Sequence, residues 1–196
     1  MIYAMRHTEK NHHTPMRTNE SYADFTERVM LTSEGIARAQ RAAVFLSSQT
    51  NIRRIISSHF LRAKQTAEII GEICNVPVEI DHRLGERILC NDKSTESQIK
   101  LYNQKSLSDW SWHAPGGESM DAVFERLNKV VTEINTLAID GDTLIVSHSR
   151  SIQAYAGTMR NDATIDYASA DPSVLIPYGL LLKISNDSVR KAYQID

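Results

Sequence analysis

Residues 53–74 read RRIISSHFLRAKQTAEIIGEIC, and this stretch decides the fold class that we expect. Its first six residues, RRIISS, predict a short strand. The residues that follow place apolar side chains on one face of a helix, at Ala63, Ala67, Ile70 and Ile73. A strand that leads directly into an amphipathic helix is the building unit of a parallel sheet with helices packed on its faces.

Two further strand-and-helix units flank this one. The apolar residues 1–5 predict a first strand, which a long polar loop (8–31) connects to a helix capped by Thr32. The inner stripe of that helix is Ile36, Ala39, Ala43 and Leu46. The run TLIVSH leads into SIQAYAGTM, whose helical face is Ile152, Tyr155, Ala156 and Met159. The three units together predict a three-layer α/β/α sandwich with a mostly parallel central sheet.

The other segments complete this outline. A further helix precedes the third strand, and its apolar stripe is Met120, Val123, Phe124, Leu127, Val130, Val131, Ile134 and Leu137. The tail, GLLLKI and VRKAYQI joined by SNDS, predicts a hairpin on the sheet. Residues 87–114 have weak periodicity and two tryptophans, and we expect them to be a cap-like insertion. We expect residues 1–196 to form a single domain.

Composition excludes several function classes. The chain of 196 residues has a formal net charge of −2, so we expect no nucleic acid or membrane surface as a partner. Its two cysteines match no metal or redox spacing, and we expect neither a signal peptide nor a membrane-spanning segment. These features predict a cytoplasmic protein. The sequence does not indicate an oligomeric state.

Cationic and imidazole side chains collect where the predicted strands end. Arg6 and His7 follow the first strand, Arg62 opens the helix after the second, and His148 follows the third. The carboxyl ends of parallel strands share one edge of the sheet, so these four side chains are expected to meet there. Such a cluster repels itself unless an anion lies within it. A phosphoryl group fits, because arginine binds its oxygens in pairs and imidazole can bond to it or attack it.

A histidine nucleophile sets one further requirement. Attack on phosphorus would give a phosphohistidine, and a carboxyl group must then protonate the leaving alkoxide and later accept a proton from water. Glu86, in RLGERI after the short predicted strand VEI, is the best candidate. The rivals are Asp92 and Glu118, although Glu118 is better explained by the start of the following helix, where negative charge is favourable.

Six ordered blocks of the chain resemble the histidine phosphatase superfamily, which includes the phosphoglycerate mutase-like enzymes. They are MRHT, LTSEGIARAQ, SSHFLRAKQTA, LGE, PGGES and IVSHS, and the resemblance spans residues 2 to about 155. It implies His7 as the phosphorylated nucleophile and Glu86 as the proton donor. It also implies Arg6, Arg62 and His148 as the phosphate pocket, and it requires no metal or other cofactor.

The chain departs from the family pattern near the expected phosphate. Thr8 and Ser149 replace the usual glycines after the two histidines, and each adds a hydroxyl that narrows the pocket or binds phosphate. His13 stands where the family often has asparagine. The mutase-type Gly-Trp stretch before the first helix is missing, which favours a phosphatase over a mutase. A non-catalytic module that binds phosphate is the alternative from a different class.

Several other residues have ordinary structural explanations. His12 and His13 are adjacent in a polar loop and are more typical of solvated side chains than of metal ligands. His59 is expected at the rim of the pocket, and Trp110 and Trp112 are expected to pack the insertion onto the core. Residues 9–31 and 87–114, both of mixed charge, are expected to form the walls of the pocket. A covered pocket of this kind favours a small phosphorylated substrate.

Overall fold

The structure is a computed structural model, and it describes residues 1–90, 95–137, 140–158, 176–185 and 188–195. The strands are β1 (Ile2–Arg6), β2 (Ile52–Ser57), β3 (Val78–Ile80), β4 (Asp142–Ser147), β5 (Leu180–Ser185) and β6 (Ser188–Gln194). The helices are α1 (Tyr22–Glu27), α2 (Ser33–Gln49), α3 (Leu61–Cys74), α4 (Glu96–Ser108), α5 (Met120–Thr136) and α6 (Ser149–Thr158). No helix in these ranges is long and apolar enough to cross a membrane.

The six described strands form one sheet in the order β3-β2-β4-β1-β5-β6. The first four are parallel, whereas β5 is antiparallel to both β1 and β6. In the register of this sheet Arg6 lies beside Ser147, and Ser57 lies beside Val146. The carboxyl ends of β1, β2 and β4 therefore meet at one edge, as the sequence predicts.

Helices cover both faces of the sheet. On one face α2 and α3 pack against Tyr3, Met5 and Ile55 and the neighbouring inward side chains of the strands. On the other face α5 and α6 pack against Ala4 and Ile145. The predicted α/β/α sandwich with a mostly parallel sheet is confirmed, and the C-terminal strands β5 and β6 pair as expected.

The sequence-based assignment of three residues to buried helix faces is wrong. Ile36 is 40% exposed, Ile73 is 42% exposed and Leu137 is 50% exposed. In α2 the buried face begins instead at Gly35, where a Cβ would lie 2.1 Å from the carbonyl oxygen of Glu9. The contact is so close that only glycine fits. The large neighbour at position 36 is consequently turned to solvent.

Two helices occupy segments for which the sequence predicts loop or irregular structure. Helix α1 lies within the loop 8–31, and α4 lies within the insertion 87–114. Both begin with a side-chain cap: Ser21 accepts from the backbone N–H of Asp24, and Thr95 forms a capping box with Gln98. These caps are the local sequence signal for the start of each helix. Apolar periodicity does not reveal α4, because most of its surface is polar. Met159 and Asp92 lie outside the described residues.

Candidate active site

Three of the predicted site residues meet at the sheet edge. Arg62, in the first turn of α3, donates from Nε to Nε2 of His7 at 3.0 Å, and its Nη2 lies 3.1 Å from Nδ1 of His148. The two imidazole rings are 5.2 Å apart between centroids. His7 extends the β1–β4 ladder by one residue, since its backbone N–H donates to the carbonyl of Ser147. The sheet register thus brings the ends of β1 and β4 to the same guanidinium.

The hydrogen bonds assign a protonation state to both rings. Nδ1 of His7 lies 2.7 Å from the carbonyl oxygen of Thr8, which can only accept, so this nitrogen carries the proton. Nε2 of His7 is therefore unprotonated, and its lone pair accepts a hydrogen bond from Nε of Arg62. In His148 the protonated nitrogen is the other one. A guanidinium cannot accept, so Nδ1 of His148, which faces Arg62, is unprotonated, and its Nε2 carries the proton and donates to the Ser58 hydroxyl at 2.8 Å. Both imidazoles are neutral.

Burial and charge favour these neutral forms. His7 is 2% exposed and His148 is fully buried. Burial lowers the pKa of both rings well below the ordinary value, and the positive charge of Arg62 lowers them further. Arg62 itself is buried, and desolvation lowers its pKa to about 10. A neutral imidazole with an unprotonated Nε2 is the form in which His7 can act as a nucleophile.

We expect this burial to make the free energy of unfolding fall as the pH drops below about 6.5, the usual histidine pKa in an unfolded chain. In that range the unfolded chain binds a proton at each of these histidines and the folded chain does not, because the folded-state pKa values of His7 and His148 are lowered. Each histidine contributes up to about 1.4 kcal/mol per pH unit. Urea unfolding of wild type and His148→Gln between pH 7.5 and 5 gives the slope of the unfolding free energy against pH. The variant should lose about half of the part of this slope that His7 and His148 contribute together. Identical slopes in the two proteins would contradict it.

Arg6 is held by the segment before β5, which sequence reasoning does not connect to the site. Its Nη1 donates to the carbonyl of Ile176 at 2.9 Å, and its Nη2 donates to the Tyr178 hydroxyl at 3.2 Å. The guanidinium also stacks 4.0 Å from the centre of the Tyr178 ring, whose centroid lies 5.9 Å from that of His7. This clamp fixes the Arg6 guanidinium beside the His7 ring.

Thr8 and Ser149, the two residues that follow the histidines, form hydrogen bonds with the backbone of neighbouring segments. The hydroxyl of Thr8 donates to the carbonyl of Gly35 at 2.7 Å, and its backbone N–H donates to Thr66. The hydroxyl of Ser149 accepts from the backbone N–H of Ile176 at 2.8 Å. Ser149 therefore positions the same peptide that holds Arg6. In this structure both hydroxyls serve as packing contacts, and neither lies among the residues that line the adjacent cavity.

Glu86 lies close to this cluster. Its Oε1 accepts from the backbone N–H groups of Arg87 and of Ser151, near the N-terminus of α6. Its negative charge acts on Arg6 and Arg62, whose pKa values it raises against the lowering by burial. Among the residues described, none donates to its Oε2, which leaves this oxygen available to a ligand.

The rivals of Glu86 are less suited to proton transfer. Both carboxylate oxygens of Glu118 are engaged, Oε1 by Nε of Arg126 at 2.9 Å and Oε2 by Nη2 of Arg126 and the backbone N–H of Ile88. Asp92 is outside the described ranges. The cap before α5 is supplied by Ser119, so Glu118 supports that helix start only indirectly.

A cavity of about 390 Å³ opens over the cluster. Arg6, His7, Arg62 and Glu86 line it, whereas His148 contributes from beneath through Arg62. Its walls include residues of α1, of segment 87–90 and of α4, together with the stacked rings of His59 and His82, whose centroids are 4.2 Å apart. The placement of these segments agrees with the expectation that the loop and the insertion form walls.

Several lining residues are absent from the sequence-based set. They are Lys10, Arg87, Arg126 and Arg150, all cationic. Arg87 and Arg150 directly follow predicted site residues in sequence, by one and two positions, and this proximity is the signal that could have found them. His12 and His13 are exposed, and within the described ranges no group of three or more His, Cys, Asp and Glu side chains is arranged to hold a metal ion.

Comparison with known proteins gives a consistent result. The model of the histidine phosphatase superfamily (branch 1) matches residues 2–166. A protein of Photorhabdus laumondii named "Probable phosphoglycerate mutase GpmB" is 27% identical over 164 residues, which cover 81% of this chain and 74% of that protein. A protein of Escherichia coli with the same name gives the same identity and coverage.

Solved structures share the fold. A mycobacterial glucosyl-3-phosphoglycerate phosphatase in complex with VO3 superposes with a TM-score of 0.72 at 21% identity, and the match covers 100% of this chain and 99% of that one. Bacillus stearothermophilus YhfR superposes with a TM-score of 0.68 at 23% identity, over 100% of this chain and 96% of that one. At these identities the structures support the shared architecture and nothing finer.

Proposed function

The chain belongs to the histidine phosphatase superfamily (branch 1), and on that premise we propose that it is a phosphatase that hydrolyses a phosphomonoester through a phosphohistidine on His7. One observation carries this proposal: the Arg62 guanidinium donates to His7 at 3.0 Å and to His148 at 3.1 Å, in a buried cluster that also contains Arg6. Such an arrangement supplies a nucleophile and fixed donors to the oxygens of one phosphoryl group.

In the first step, Nε2 of His7 attacks phosphorus and the bond between phosphorus and the ester oxygen breaks. Arg62 must transfer its Nε donor from the His7 ring to a phosphoryl oxygen, which frees the attacking lone pair. Arg6 and Arg62 neutralise the phosphoryl oxygens, His148 holds the Arg62 guanidinium in place from beneath, and Glu86, in its protonated form, gives its proton to the leaving alkoxide. The bond from Nδ1 of His7 to the Thr8 carbonyl persists and keeps the ring oriented.

In the second step, the Glu86 carboxylate takes a proton from water as the water oxygen attacks phosphorus. The bond between phosphorus and nitrogen breaks, inorganic phosphate leaves, and His7 returns to its neutral form. The positive charge that the phosphoryl group needs comes from Arg6 and Arg62. We therefore propose that turnover requires no metal ion.

A phosphoglycerate-type mutase is the second candidate, because the relatives at 27% identity bear that name. A mutase returns the phosphoryl group of the phosphohistidine to a second hydroxyl of the bound intermediate. The two activities share the first step and differ only in whether water or a hydroxyl receives the phosphoryl group.

A panel of phosphomonoesters separates these functions. We expect release of inorganic phosphate from at least one small phosphorylated metabolite, at a rate that a chelator leaves unchanged, and no isomerised product by ³¹P NMR. Isomerisation without phosphate release would establish the mutase instead. Tight binding of phosphate with no turnover of any ester would establish a non-catalytic phosphate-binding module.

A further inference from the structure

We propose that Ser149 and Tyr178 are positioning residues of the reaction, which hold the Arg6 guanidinium in the orientation that the transferring phosphoryl group requires. This inference rests on the proposed phosphatase function for the role of Arg6. It extends that function by two residues, neither of which is among those that line the cavity. Both residues act on the reaction only through Arg6.

The Arg6 guanidinium is held at two of its nitrogens and on one face. Nη1 donates to the carbonyl of Ile176 at 2.9 Å, and Nη2 donates to the Tyr178 hydroxyl at 3.2 Å. The guanidinium carbon also lies 4.0 Å from the centre of the Tyr178 ring. One hydrogen bond alone would let the guanidinium turn about it, whereas two hydrogen bonds and a ring contact together define its plane.

Ser149 fixes the residue that accepts from Arg6. Both backbone groups of Ile176 are engaged, the N–H by the Ser149 hydroxyl at 2.8 Å and the carbonyl by Arg6. Ser149 is 3% exposed and is the first residue of α6, directly after His148. A glycine at this position would have no hydroxyl, and Ile176 would lose the contact. The start of α6 therefore helps to set the position of the carbonyl that holds Arg6.

The environment of Arg6 explains why this clamp matters to the reaction. Arg6 is 9% exposed, and burial lowers the pKa of its guanidinium. The electron-rich face of the Tyr178 ring and the two oxygen acceptors compensate the buried charge. Nε of Arg6 is buried and has no hydrogen-bond partner among the described residues, so a donor remains for an anionic ligand. A donor that is already oriented needs no reorganisation as charge develops on the phosphoryl oxygens.

The clamp lies outside the pattern on which the family membership rests. Ile176 and Tyr178 come after residue 166, where the match to the family model ends. Ser149 stands at a position where the family pattern has glycine. These separate features of the chain converge on one arginine, which favours a shared role in positioning it over unrelated packing roles.

Substitutions in two backgrounds test the proposal. With Arg6 present, Tyr178→Leu should lower kcat for a phosphomonoester by about tenfold and Ser149→Ala by a few-fold, with smaller changes in KM. Arg6→Ala alone should cost about 10²-fold, which leaves a measurable rate. In the Arg6→Ala background the other two substitutions should change kcat/KM by no more than about twofold, because the guanidinium on which they act is gone.

Two further variants keep the test decisive. Tyr178→Phe removes only the hydroxyl and retains the ring, so it carries the same comparison if Tyr178→Leu does not fold, with an expected loss of a few-fold. Tyr193→Leu is the matched control, since this tyrosine of β6 packs its ring against Phe45 and should leave kcat unchanged. An equal loss of kcat/KM from the Tyr178 variants with and without Arg6 would show a merely structural role and overturn the proposal.

Orthovanadate binding separates this proposal from the proposed function, because it needs no turnover. Calorimetry on the same variants should give a Kd that rises about tenfold in Tyr178→Leu when Arg6 is present and stays constant when Arg6 is alanine. This pattern in a protein that hydrolyses no ester would keep the clamp and refute the phosphatase. Ester hydrolysis that proceeds at the wild-type kcat in the Ser149 and Tyr178 variants would overturn the clamp and keep the phosphatase.

Discussion

A His7→Ala variant is expected to lose its phosphatase turnover by a factor on the order of 10⁵ or more, the scale seen when a covalent nucleophile is removed. The physical reason is that the unprotonated Nε2 of His7 belongs to a ring that lines the cavity, whereas His148, whose unprotonated Nδ1 also accepts from Arg62, does not line it. Phosphate release, measured over a long incubation with a substrate from the panel, provides the number.

The phosphoenzyme provides a second readout. Wild type quenched during turnover of a ³²P-labelled ester should carry label that is lost in acid, as expected for a phosphohistidine, and His7→Ala should carry none. His12→Ala, at an exposed position in the loop before α1, is the matched control and should retain both label and rate. Acid-labile label on His7→Ala would show that another residue is the nucleophile.

Replacement of Arg62 by alanine should have the next largest effect, a fall in kcat/KM of about 10² to 10³-fold. The substitution removes the donor to His7 and the donor to His148 together, and with them the contact to the Thr26 carbonyl in α1. It also removes a positive charge that helps to lower the pKa of His7. The acid limb of the rate profile should therefore move to higher pH, because His7 becomes protonated more readily.

Arg62→Lys separates the two contributions. A lysine keeps the positive charge, so the acid limb should stay near that of wild type, but one ammonium group cannot span both imidazoles as the planar guanidinium does. The rate of Arg62→Lys should accordingly remain well below wild type. If kcat/KM of Arg62→Ala were within a few-fold of the wild-type value and the acid limb of its pH–rate profile were unshifted, Arg62 would not be part of the phosphate site.

The part of the fold that follows from strand-and-helix units is predictable from the sequence. The parallel core of β1, β2 and β4 needs only short apolar runs followed by helical faces, and it fixes the common edge at which Arg6, His7 and His148 arrive. The helix faces are less predictable in detail. Whether Gly35 or Ile36 faces the core depends on how closely the carbonyl of Glu9 approaches, and this distance is a tertiary property.

Two features of the site lie beyond sequence reasoning. The clamp of Ile176 and Tyr178 on Arg6 joins residues about 170 positions apart, and nothing local to Tyr178 indicates it. The polar helix α4 supplies Asn103 and Ser106 to Arg87, but its sequence lacks the apolar stripe by which a packed helix is recognised. Both are contacts between polar groups, which periodicity does not reveal.

During synthesis β1 leaves the ribosome long before its partners, since Ile2 pairs with Thr143 of β4 on one side and with Ile184 of β5 on the other. An apolar strand that waits this long without neighbours is exposed to aggregation and to capture by chaperones. His7, which follows β1, has its backbone fixed by Ser147 and can take up its contact with Arg62 only after β4 has paired with β1. A chain interrupted before residue 176 lacks the two strands that cover this side of β1 and both groups that hold the Arg6 guanidinium.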